Sequence, residues 1–177
     1  MEKFYEVFPA VLKQLELESD RGLILVTASF VEKELFNHLE NRLLNKLKPT
    51  DELLHDSDFD FKIKLSYRVG IITKNESEIY HQLRTLRNTC AHEIENQSFN
   101  NDQFMSSMNN IIRKSPDLWK VMKNKLRPEA LTDEDCKTVK SYVKAIGWRS
   151  SFEIFFGLII SHKMVNSHRA TKIVALY

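Results

Sequence analysis

The run over residues 23–47 limits the possible folds more than any other feature of the chain. Leu23, Val26, Phe30, Val31, Leu35, Leu39, Leu43 and Leu47 recur at three- and four-residue steps and stop before Pro49. That is the period of an α-helix with one apolar stripe. Glu32, Lys33, Glu40 and Arg42 fall on the other face. A helix of this length must bury its stripe against other helices, so the run predicts a bundle.

The same period governs most of the remaining sequence. Residues 2–17 place Phe4, Val7, Phe8, Val11, Leu12 and Leu15 at helical spacing, with Pro9 inside the run as a kink or a break. Ser19 or Asp20 offers an N-cap to the long helix. Residues 49–58 read as an acidic connection, and 59–72 as a short helix with Phe61, Ile63, Leu65, Val69 and Ile72 apolar and Gly70 near its end. Asn75 with Glu78 reads as a capping box opening a helix to about Ala91, with Ile79, Leu83, Leu86 and Cys90 in the core. Further helices are predicted near 101–114, from Pro116 to Lys125, from Thr132 with Asp135 to about Ile146, and from Ser150 with Glu153 to His162. The fold class is therefore all-α: one domain over residues 1–177, a bundle of roughly six to eight helices.

Composition excludes several alternatives. Four glycines among 177 residues cannot supply the turns of a many-stranded sandwich or barrel. Gly22, Gly70, Gly147 and Gly157 are isolated, so no glycine-rich phosphate loop exists and no nucleotide cofactor is implied. Cys90 and Cys136 make neither a CxxC zinc site nor a disulfide framework, and no HExxH pattern occurs, so no metal is expected. A reducing cytoplasm suits this cysteine usage. The N-terminus has no apolar signal segment, and the most apolar stretch, 152–161, carries Glu153 and is too short to span a bilayer, so no membrane partner is expected.

Net charge is +2, but residues 137–177 hold seven Lys and Arg against one acid, leaving the preceding part at −4. The basic tail, with Lys163, Arg169 and Lys172, is one candidate contact for RNA or another nucleic acid. A solvated lysine-rich face explains it equally well. The segment 132–149 is the only candidate for a DNA-reading helix-turn-helix. The residues after it, 152–160, are almost wholly apolar, so they cannot expose side chains to base edges. His38 reads as a boundary residue of the long helix, and His55 lies among Asp51, Glu52, Asp56, Asp58 and Asp60 in a solvated acidic loop.

The chemically informative stretch is the helix ending near His92. Arg84, Asn88 and His92 stand at i, i+4 and i+8 and share one stripe, with Arg87 turned 140° from His92. Arg carries a fixed, forked cation that fits phosphate, and His exchanges protons near neutrality. Together they suit metal-independent RNA cleavage, in which a 2′-hydroxyl attacks its own phosphate. One histidine in the motif is short of one acid–base group, and a symmetric homodimer with these helices facing supplies the second. On residue types alone, a solvated polar stripe near a helix C-terminus is the simpler reading.

Three segments together resemble the mannitol operon repressor family. They are Glu18-Ser19-Asp20-Arg21-Gly22 with the apolar run 23–30 and the turn 32–35; Phe61-Lys62-Ile63-Lys64-Leu65-Ser66-Tyr67 with Gly70-Ile71-Ile72; and Leu86-Arg87-Asn88-Thr89-Cys90-Ala91-His92. The resemblance covers roughly residues 15–95 and leaves the basic part, 132–177, without a motif. It implies a helical protein without a DNA-binding motif that represses transcription by associating with other regulatory proteins. The third segment is also similar to the Arg-x4-His motif of the HEPN superfamily, whose helical members often dimerise and often cleave RNA. That similarity maps onto Arg87, Asn88 and His92, as catalytic residues of an alternative endoribonuclease reading, with Arg84 as an auxiliary phosphate contact.

Overall fold

A computed structural model describes residues 2–43, 53–92 and 101–166. Seven helices account for all the regular structure among them: α1 (Glu2–Glu16), α2 (Asp20–Arg42), α3 (Phe59–Arg68), α4 (Lys74–His92), α5 (Asn101–Arg113), α6 (Pro116–Lys125) and α7 (Val139–Asn166). The chain is an all-α bundle. No helix among the described residues is long and apolar enough to cross a membrane.

The helices assemble around the second half of α7. Phe152, Phe155 and Phe156 are fully buried, and Leu158, Ile159 and Ile160 nearly so. A helix apolar on every side has to be covered on every side. α1 and α5 cover most of it, and α2 and α6 pack on the same helix. α2 in turn carries α3 and α4, which also touch each other. The buried side chains form one continuous cluster from Phe8 to Ile160.

α1 lies close on α7 because Gly157 leaves room. A Cβ built there meets Leu12 Cδ2 at 2.9 Å and Phe8 Cε2 at 3.2 Å. Pro9 sits inside α1 without ending it. α7 is interrupted once, at Gly147, whose φ of 81° and ψ of 164° lie outside the helical region. Only glycine takes up such a conformation cheaply. Just after the break, Ser151 Oγ donates to the Gly147 carbonyl one turn back at 2.7 Å.

Several helix boundaries differ from those read in the sequence. α2 begins as expected, with Ser19 Oγ accepting from Gly22 N at 3.1 Å, but it ends at Arg42, where Leu43 turns to extended backbone. The predicted positions beyond Leu43 lie outside the described residues. The box that opens α4 is Thr73 with Glu76, two residues before the expected Asn75–Glu78. Glu78 instead pairs with Lys114, in the turn just after α5. Thr132 and Asp135 do bond each other's backbone, but they close a turn, and α7 starts behind a second box, Thr138 with Ser141. The split expected between Ile146 and Ser150 is present as the break at Gly147, and the second stretch of α7 begins just after it, ahead of Ser150.

α3 buries a different face from the one its apolar residues suggest. Phe59, Lys62, Ile63 and Ser66 point inward, whereas Phe61 is 40% exposed. Asp58 caps the helix through Phe61 N at 2.7 Å and sets this rotation. Lys62 is tolerated inside because its Nζ reaches Glu32 Oε1 at 2.9 Å and the Ser57 carbonyl at 2.6 Å. Glu32, placed on the solvent face of α2 by the sequence pattern, is the anchor for α3.

One ionic knot ties α7 to the α1–α2 turn. Arg149 binds Asp20 Oδ1 at 2.5 Å and lies 2.9 Å from Glu153 Oε1. It also donates to the Glu18 carbonyl at 2.7 Å. Burial pushes the Glu153 carboxyl above its ordinary value, and Arg149 pulls it back only in part.

Two substitutions test this core. Gly157→Val should cost about 1–3 kcal/mol in urea unfolding, because α1 must lift off α7. Stabilisation instead, from the gain in helix propensity, would show that α1 is not seated this closely. Arg149→Met should cost about 2–3 kcal/mol at pH 7 by leaving Glu153 buried and unpaired. A raised carboxylate pKa penalises the folded state only above the unfolded value near 4.5, so this loss should shrink as pH falls toward it. A loss independent of pH between 5 and 7.5 would remove Glu153 from the explanation.

Candidate functional site

The candidate site is the outer face of α4, which is fixed to four other helices. Ile79, Leu83, Leu86 and Cys90 are buried beneath it, as their spacing predicts. At the N-terminal end, Glu76 accepts from Thr73 N at 2.8 Å through one oxygen and pairs with Lys163 of α7 at 2.7 Å through the other. Burial alone would raise the Glu76 carboxyl, but Lys163 and Thr73 outweigh it and hold it below the ordinary value. Lys114 on Glu78 ties α4 to α5. At the C-terminal end, Arg21 Nη2 of α2 donates to the Ala91 carbonyl at 3.5 Å. A guanidinium there meets the negative end of the helix dipole.

Asp20 and Arg21, adjacent in sequence, are sent to different partners by the fold. Asp20 belongs to Arg149, and Arg21 belongs to the end of α4. Lys163 is also not a free cation of a basic tail. Its side chain is 14% exposed and held by Glu76, which removes it as a nucleic-acid contact. Arg169 and Lys172 lie outside the described residues.

Of the motif residues, Arg84, Arg87 and Asn88 are half-buried along α4. Arg84 Nη1 lies 3.7 Å from Asp60 Oδ1 of α3, and His81 Nδ1 lies 3.4 Å from the same oxygen. Lys64 holds the other oxygen at 2.5 Å. The Lys64 hydrogen bond is the main cause that keeps Asp60 below the usual aspartate value, with Arg84 and His81 adding to it. Arg87 and Asn88 have no hydrogen-bond or ion-pair partner among the described residues. His92 is the last residue of α4, and its side chain lies outside the described residues.

His81 is a second imidazole on this face that the motif alone does not bring forward. Its spacing, three residues before Arg84, is the signal that finds it. It does not complete an acid–base pair with His92. Eleven residues of helix separate their backbones by about 16 Å, far beyond the span of one phosphodiester. Arg84 stands about 12 Å from His92 by the same rise and so belongs to a neighbouring contact, not to the same reacting group.

Other candidates resolve into structural roles. His38 is buried, with burial lowering its pKa and Lys163 adding to that effect, and its Nε2 has no partner. His55 is exposed and rests on the Phe36 ring, centroids 4.8 Å apart. No group of three His, Cys, Asp or Glu side chains is placed to hold a metal among the described residues. Cys90 and Cys136 are buried and not joined in a disulfide. The candidate recognition segment after residue 149 is the buried core of α7, so it cannot enter a DNA groove.

In comparisons of this chain with protein-family models, with curated proteins and with solved structures, nothing matched.

The electrostatic account of Asp60 is open to measurement. In a carboxyl carbon NMR titration, Asp60 should titrate below the ordinary aspartate range, and Lys64→Met should move its midpoint up. A midpoint unmoved by Lys64→Met would assign the shift to Arg84 and His81 instead.

Proposed function

We propose that this chain is a cytoplasmic regulatory protein of the mannitol operon repressor type, a helical module that represses through other proteins and pairs with a second copy of itself along α4. The observation that carries this reading is the outer face of α4. Arg87 and Asn88 are presented there without a hydrogen-bond or ion-pair partner among the described residues, on a helix fixed to its neighbours at both ends. An unpaired guanidinium on a rigid support suits a carboxylate or phosphate of another molecule. The burial of residues 152–160 supports the same reading, because repression then has to pass through partners and not through base contacts.

The second reading is a metal-independent endoribonuclease of HEPN type. The specific observation in its favour is Arg21, whose guanidinium reaches the His92 end of α4 and adds a second cation near the motif. In that reading His92 exchanges the proton of the attacking 2′-hydroxyl, Arg87 holds the pentavalent phosphate, and Asn88 orients them. His92 of a second copy protonates the leaving 5′-oxygen.

The two readings part on His92 and meet on Arg87. Transcripts would be profiled in cells lacking the chain and in cells complemented with wild type, Arg87→Glu or His92→Ala. The regulator reading expects a small derepressed set, restored by wild type and by His92→Ala but not by Arg87→Glu. It also expects Arg87→Glu to shift a dimer toward monomer in light scattering by at least about tenfold in Kd. Cleavage of single-stranded RNA or tRNA in EDTA by wild type, and not by His92→Ala, would replace the first reading with the second.

A further inference from the structure

On the side of the bundle where α5 meets the start of α7 lies a cleft of about 660 Å³. One wall is a single face of α5, carrying Met105, Asn109 and Arg113, and the other is the first turn and a half of α7, carrying Val139, Lys140 and Lys144. Lys140 and Lys144 stand one helical turn apart on the same face. Arg113, Lys140 and Lys144 are all exposed, and none has a hydrogen-bond or ion-pair partner among the described residues. Among the described residues Asp102 is the one acid bordering the cleft, against three cations. The floor includes the apolar side chains of Met105 and Val139, and Asn109 Oδ1 is buried in the wall with no partner.

We infer that this cleft binds a phosphorylated small molecule, its phosphates on Arg113, Lys140 and Lys144 and its organic body on Met105 and Val139. Three like charges facing one concavity repel one another, and an anion removes that cost. A guanidinium beside two ammonium groups matches a phosphate or diphosphate. The first turn of α7 adds the positive end of its dipole, although Thr138 Oγ1 already occupies Ser141 N at 3.1 Å. The size of the cleft is that of a small-molecule site. A nucleic-acid strand would need a track of free cations leading away from it. The nearby cations toward the α6–α7 connection are instead paired, Arg127 with Asp133 and Lys137 with Glu134. The inference does not depend on the role of α4, which lies on other residues.

Calorimetric titration of the full chain with ADP, pyrophosphate and adenosine, at about 0.15 M salt to suppress diffuse attraction, tests it. ADP and pyrophosphate should bind and adenosine should not, with ADP tighter because its base covers the apolar floor. Arg113→Gln, and separately the double change Lys140→Gln with Lys144→Gln, should weaken ADP by about tenfold or more. Neutralising Lys120 and Lys123 of α6 should leave binding unchanged. All these side chains are exposed or line the surface, and unaltered circular dichroism would establish that the fold survives. No binding of ADP or pyrophosphate at about 5 mM, or binding indifferent to the cleft variants, would overturn the inference. So would a ten-nucleotide RNA that binds more tightly than ADP and depends on the same three cations, which would make the cleft part of a strand-binding surface.

Discussion

The second half of α7 cannot face water on any side, and the rest of the bundle follows from that. Phe152, Phe155 and Phe156 lie on its axis of burial, and their removal from water is worth about 1.5–3 kcal/mol each. α1, α2, α5 and α6 supply the cover, and α3 and α4 are a second tier resting on α2. Glu153 is the exception in this apolar segment. It is accommodated because Arg149, one turn earlier, stands beside it and extends on to Asp20 and the backbone of the α1–α2 turn. The same interaction that makes a buried carboxylate tolerable thereby fixes where α1 ends and α2 begins.

Helical periodicity made the architecture readable because it depends on local spacing alone. The core positions of α4, Ile79 through Cys90, follow directly from the sequence. What could not be read depended on partners distant in the chain. Lys62 looks like a surface residue until Glu32 and the Ser57 carbonyl are placed around it, and its burial rotates Phe61 outward. Thr73–Glu76 and Asn75–Glu78 are equally good capping boxes on paper, and Lys114 decides between them by claiming Glu78. The break at Gly147, by contrast, falls where the sequence pattern ends one helix near Ile146 and opens another near Ser150. At the candidate site, the stripe of Arg84 and Asn88 was legible from i, i+4 spacing. The roles of Asp60, His81 and Arg21 were not, since each arrives from another helix or from a position the motif does not mark.

Charge on this protein is sorted by whether it has a partner. Lys163, Lys114, Lys64 and Arg149 belong to a carboxylate of the same chain and act as fasteners. Arg87 on α4, and Arg113, Lys140 and Lys144 in the α5–α7 cleft, have no such partner among the described residues. A net charge of +2 therefore says little about the surface, where the grouping of unfastened cations on one face or in one cleft matters more than their number.

The seat of α1 on Gly157 has a consequence for biosynthesis. Phe8 and Leu12 are made about 145 residues before the glycine they rest against. At ordinary ribosomal rates that interval is roughly ten to thirty seconds. For that time the first helix has only its neighbour α2 to rest on, and the side chains that will meet Gly157 lack their native surface. Docking of α1 on α7 is then a late event that closes the bundle.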